Sequence, residues 1–151
     1  MPPVSPTHWA RIPAVRVDGL AAGGLVLDLA AGRPVRLVSD HGIAGLAGAG
    51  WWAGLLRAWN KTATGPFLAL LDCADLPGQV MAALRAGVTD IAFEAGPGTP
   101  PGLLERLSSL ADAHGARLHD PPVNVVKPCW RRNRDAPLRQ YLSQHIDFTV
   151  M

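Results

Sequence analysis

The chain has 151 residues, of which 48% are hydrophobic and 17% charged, with a formal net charge of +2. That length supports one domain with its own core, and the composition excludes a disordered chain. So small a net charge excludes nucleic-acid binding as a bulk property, and nucleic acid is not an expected partner.

Residues 1–7 carry three prolines and read as a loose leader without the basic and apolar regions of a signal peptide. Residues 8–17 read as an extended lead-in that ends at the turn signal Asp18-Gly19. Leu25-Val26-Leu27-Asp28-Leu29 is an apolar, strand-like run, broken by Ala31-Gly32-Arg33-Pro34. Val35-Arg36-Leu37-Val38-Ser39 follows as a second strand, so the pair predicts an N-terminal hairpin. From there strand and helix alternate. A helix is expected over 43–59, a doubly buried strand over 67–71, and a helix over 75–86 with Asp75 as its cap. A strand over 88–93, a helix from Pro100 to Gly115 and a strand over 117–119 complete a βαβαβαβ core. Such alternation implies parallel strands and right-handed crossovers. The predicted fold is therefore a single three-layer α/β domain with a mostly parallel sheet. Residues 1–120 form its core, and residues 121–151 form a short irregular arm with one helix near 135–145.

Ligands of parallel sheets bind at the carboxyl ends of the strands. Each predicted strand ends in ionisable residues: Asp40 and His41, then Asp72 and Asp75, then Glu94, then His119 and Asp120. Asp40, His41, Asp72 and His119 are the candidate acid–base groups. Asp75, Glu94, Asp120, Gly96 and Gly98 are candidate ligand-binding positions. Asp and Ser also serve as ordinary helix caps after strands, which is the competing structural role for Asp40 and Asp75. No HxH, HExxH or DxDxG pattern is present, so neither a metal nor a cofactor is called for. Gly96-Pro97-Gly98-Thr99 joins strand to helix as a phosphate loop would, but Pro97, Pro100 and Pro101 remove three amide donors.

Two stretches resemble known families. Val26-Leu27-Asp28-Leu29-Ala30-Ala31-Gly32 resembles the first motif of S-adenosylmethionine-dependent methyltransferases, in which a Gly-rich loop leads into a helix; here Arg33-Pro34 and a strand follow instead. Residues 67–110 are similar to the later half of response-regulator receiver domains, including the helix end Leu84-Arg85-Ala86-Gly87, and would put Asp40 near the phosphoacceptor position. The paired N-terminal acids of that family are missing and Glu94-Ala95 replaces its Lys-Pro. The likeness is one of α/β grammar, and phosphotransfer is not expected.

Residues 43–59 carry one charge, Arg57, and two apolar faces. Trp52, Leu56 and Trp59 form the second face, beside Trp51 on the first. A covering partner is needed for that face, either the arm or a second copy of the chain. Trp51, Trp52, Leu56 and Trp59 are thus the candidate interface of a homo-oligomer, a dimer being the simplest case. The arm, residues 121–151, is an alternative docking element for a protein partner; within it Trp130-Arg131-Arg132-Asn133-Arg134 is a small basic cluster. Residues 42–56, the longest apolar run, fall short of the roughly 20 residues of a membrane span. Cys73 and Cys129 are unpaired in spacing and read as thiols of a reducing cytoplasm. Twelve of the fourteen basic residues are arginines, the pattern of a GC-rich bacterial genome. The leading functional expectation is a self-associating cytoplasmic module that binds a ligand or a protein. The alternative is an enzyme acting on a small polar or anionic substrate at the strand ends.

Overall fold

The computed structural model describes residues 6–129 and 136–148. Five strands form one sheet in the order β1 (Ala14–Val17), β2 (Val35–Ser39), β3 (Phe67–Asp72), β4 (Asp90–Ala92) and β5 (Arg117–His119), and every neighbouring pair is parallel. Each strand lies beside its predecessor, so all crossovers step the same way. Right-handed crossovers stepping one way place their helices on a single face. That face carries the main core, built on helices α2 (Leu20–Ala30), α4 (Ala49–Thr62), α5 (Pro77–Arg85), α6 (Leu103–Ala113) and α7 (Ala136–His145).

The hairpin expected at the N-terminus is not formed. Residues 20–30 are helix, and β1 and β2 are its parallel flanks. The buried set Ala22, Gly23, Val26, Leu27 and Ala30 recurs at spacings of three and four, one helix face against the sheet. Ala31 closes the helix in the left-handed conformation, with its amide on Leu27 and Asp28. The stretch resembling a methyltransferase motif is thus the last turns of a helix and lacks the strand that motif requires.

Gly23 has a specific task. A Cβ there would stand 2.3 Å from the Trp59 ring, so the missing side chain is what lets the indole lie against α2. Trp59 Nε1 donates to the Leu20 carbonyl at 3.1 Å. Trp52 stacks edge-on against Trp59, with ring centroids 5.3 Å apart, and is fully buried. Residues 43–59 divide at Gly48 into a single turn, α3 (Ala44–Ala47), and the long helix α4.

The second face of the sheet bears Ala14, Val38, Leu70 and Ala92, all buried, with Leu68 and Val125 packed on them. Val126 bridges Val15 alongside β1, at the opposite edge from β5. Val126 pairs on the free side of β1, so five inter-strand gaps, about 24 Å, separate it from β5. The seven residues after His119 reach at most about 25 Å, so this segment crosses almost fully extended. The three layers are therefore helices, sheet and a thin returning strap.

After the strap, Leu142 of α7 and Ile146 just beyond it enter the main core, with α7 beside α2. Arg33 donates to the Ala30 and Leu29 carbonyls at 2.8 and 3.0 Å, and its guanidinium sits 4.4 Å over the Phe148 ring. The described part of residues 121–151 is thus packed on its own domain. Residues 1–5 of the expected leader lie outside the described residues, and residues 6–9 form a helical turn, α1 (Pro6–Trp9).

Two neighbouring glycines test this packing. Gly23→Ala is expected to cost about 3 kcal/mol, because Trp59 must move. Gly24→Ala meets nothing within 4 Å and should stabilise α2 by about 0.5–1 kcal/mol. Urea unfolding of both variants reads the two signs directly.

Candidate functional site

The carboxyl ends of all five strands share one edge, as a parallel sheet requires. Asp18, Asp40, Asp72, Asp75, Glu94 and Asp120 all stand at or just beyond strand ends there, half of the chain's twelve acids. Among the described residues no group of three or more His, Cys, Asp or Glu is gathered so as to hold a metal ion.

The centre of the edge is Asp72, the last residue of β3, whose side chain is only 1% exposed. Its Oδ2 accepts from Arg16 Nη1 at 2.8 Å, and its Oδ1 accepts from the Ala74 amide at 3.0 Å. His41 Nδ1 lies 3.3 Å from both Asp72 oxygens. The Asp72 amide donates to Ser39 Oγ at 2.8 Å. Arg16 belongs to β1, two strands away, and reaches over Val38 to the carboxylate. It also donates to the Ser39 carbonyl. A carboxylate can only accept, so the His41 proton facing it is on Nδ1 and the other ring nitrogen, Nε2, carries a lone pair in the neutral ring. The His41 side chain is 61% exposed while its carboxylate partner is buried. A buried carboxylate that fixes the tautomer of an accessible imidazole is the arrangement of a general base.

The backbone around the pair is constrained. Ala74 holds φ 51°, a left-handed conformation costly for a residue with a Cβ. It is held there by the Ala74 N–H bond to Asp72 and by the Glu94 amide on the Ala74 carbonyl, 2.9 Å. Gly42 donates to the Asp72 carbonyl at 3.1 Å, which ties the His41 loop to the end of β3.

His119 takes a second carboxylate, its Nε2 lying 2.8 Å from Asp90 Oδ1, with side chains 23% and 17% exposed. The register Asp72–Ala92 and Ala92–His119 places His119 level with Asp72 across one small residue. Their Cα atoms are about 10 Å apart at the usual strand spacing.

Asp40, Asp75, Glu94 and Asp120 are exposed along the rim. Asp40 and Asp75 are not helix caps: Ile43 and Leu76 occupy those positions, and neither helix start has a side-chain cap bond. Gly96 approaches Asp75, its Cβ position standing 3.7 Å from Oδ2. Gly96 donates its amide to Thr99 Oγ1 at 2.8 Å and accepts from the Thr99 amide at 3.0 Å, so the turn closes on itself. Gly98 has open space around it. Trp52 and Trp59 are 0% and 1% exposed, and Trp51 and Leu56 are half-buried against the core. Trp52 and Trp59, expected in an outward interface, are instead packed inside their own chain, whereas Trp51 and Leu56 keep part of their surface. Residues 130–134, the basic cluster, lie outside the described residues. Arg16 and Asp90 are site residues that strand-end position does not single out; the alternation Ala14-Val15-Arg16-Val17 is the signal the sequence holds for the first.

Cys73, adjacent to Asp72, is fully buried, and burial first and the neighbouring carboxylate second push its thiol up to about 12. It stays protonated and is not a nucleophile at neutral pH. Two open clefts, of ≈ 570 Å³ beside Leu29, Arg33 and Phe148 and of ≈ 320 Å³ beside Ile12 and Arg36, lie away from the dyad. No helix among the described residues is long and apolar enough to cross a membrane. Comparison with protein-family models finds no match, and comparison with curated proteins finds none.

The Arg16–Asp72 pair generates a double-mutant test. Arg16→Met leaves a buried carboxylate without its cation and should cost about 3–5 kcal/mol. Asp72→Leu added to it removes the stranded charge and should recover most of that loss, read by chemical denaturation.

Proposed function

We propose that the protein is an acid–base enzyme that acts on a small, polar, uncharged or cationic substrate at the carboxyl edge of its sheet. The observation that carries the reading is the exposed His41 ring set on a buried Asp72, which Arg16 and the Ala74 amide anchor in turn. In this reading His41 Nε2 takes the substrate proton, Asp72 orients and stabilises the ring as it charges, and Arg16 holds Asp72. His119, oriented by Asp90 and level with Asp72 across Ala92, returns a proton to the far side of the substrate.

Charge decides the substrate class. Six carboxylates line this edge, and the one arginine at its centre is already bound to Asp72. An anion entering here would meet net repulsion, whereas an amine, amide or polyol would not.

The test is a binding screen of small amines, amides and polyols followed by histidine ring resonances. A ligand of the site moves His41 and His119 together, and Asp72→Asn removes the His41 response while leaving His119 in place. Turnover of that ligand should fall by about 10² to 10⁴ in His41→Gln. Ligands that shift neither ring, or turnover unchanged in His41→Gln, refute the assignment.

A second reading, self-association, is supported by a different surface from the tryptophans. Leu46 is 89% exposed and Leu76 42%, and they stand on adjoining segments, with Gly45 approaching the Leu76 side chain. If this patch joins two copies, light scattering at micromolar concentration gives a dimer, and Leu46→Asp gives a monomer of unchanged stability.

A further inference from the structure

Arg36 stands apart from the carboxyl edge. It projects from β2 onto the second face of the sheet near the amino end of the strands, and its residue is 9% exposed. Nε donates to the Ile12 carbonyl at 2.9 Å, and Nη2 reaches the Ala10 carbonyl at 3.4 Å. These two nitrogens form one edge of the guanidinium fork. Among the described residues the other edge, Nη1 with the second Nη2 hydrogen, has no acceptor, and no carboxylate lies within ion-pair distance of it. A guanidinium has five donors in fixed directions, and its free edge matches two oxygens of one oxyanion.

Arg36 lines an open cleft of ≈ 320 Å³, walled also by Ile12 and Arg11, by Asn124 of the strap, by His145 at the end of α7 and by Asp147 just after it. Its volume is that of a small-ligand site. Three of its five donors have no protein acceptor among the described residues yet still touch solvent, since Nη1 is not among the sealed unpartnered atoms, and an oxyanion in the cleft would pair a largely desolvated cation. Desolvation by burial already lowers the Arg36 pKa, in keeping with an uncompensated charge.

We infer that this cleft is a binding site for a small oxyanion, a carboxylate or a phosphate, held bidentately by the free edge of Arg36. Arg11, His145 and Asp147 border it. The site is independent of the proposed catalysis, since it opens between the N-terminal segment, the strap and α7 rather than at the strand ends.

Calorimetric titration of the full chain with sodium acetate, and separately with sodium phosphate, at constant ionic strength tests the site. The expected result is saturable binding of at least one anion, weakened about 10-fold or more in Arg36→Met and unchanged in His41→Ala. The anion that binds tells a carboxylate site from a phosphate site. Should Arg36→Met fail to fold, the Nε resonance of Arg36 in ¹⁵N-arginine-labelled protein must move along the same isotherm. Absence of saturable binding by both anions, equal affinity in folded Arg36→Met, or an unmoved Arg36 resonance overturns the inference.

Discussion

Consecutive strands of this sheet are always laid on the same side of their predecessors, and the right hand of the crossover then leaves the helices no choice of face. Every other feature follows from that winding. One face receives all the long helices and the main core, with Trp52 and Trp59 at its centre. Among the described residues the other face receives none of the long helices, and Val125 of the strap that returns from β5 to β1 packs on its apolar residues. Both chemical features lie on that sparsely covered side: Arg16 crosses it to Asp72 at one end, and Arg36 lies in it at the other.

Asp72 illustrates how a buried charge is made tolerable here. Its oxygens are shared among a guanidinium, a backbone amide and an imidazole, and the amide behind it bonds Ser39. Three of those partners come from different strands or strand ends, so the carboxylate also locks β1, β2 and β3 in register. The consequence for chemistry is rigidity. His41 sits on an exposed loop, yet its ring orientation is inherited from the sheet.

Much of the alternating middle was legible because its signals are local. Phe67 to Leu71 is a continuous apolar run, Pro77 opens a helix, Gly87 and Gly115 end helices in left-handed conformations, and strand ends carry the acids. Asp72, His41 and His119 followed from the rule that strand ends of a parallel sheet share an edge. The first forty residues misled for a physical reason. Leu25 to Leu29 is apolar at every position but Asp28, so its period is masked, and Gly23 and Gly24 discourage a helix on propensity alone. Only Trp59, thirty-six residues further on, explains Gly23. The tryptophans misled likewise: a helix apolar on two sides reads as half-exposed until α2 is known to lie against it. The partnerships of Arg16 with Asp72 and of Asp90 with His119 depend on register between strands, which no local pattern encodes.

The strap follows all five strands in chain order, which has a bearing on synthesis. The βα units can dock one after another as they leave the ribosome, since each new strand pairs with the one before it. The apolar side opposite the helices, however, stays wet until residues beyond 120 emerge. A ribosome stalled before that point would present a nearly complete sheet with one greasy flank uncovered, the kind of intermediate that chaperones hold and that aggregates when they do not.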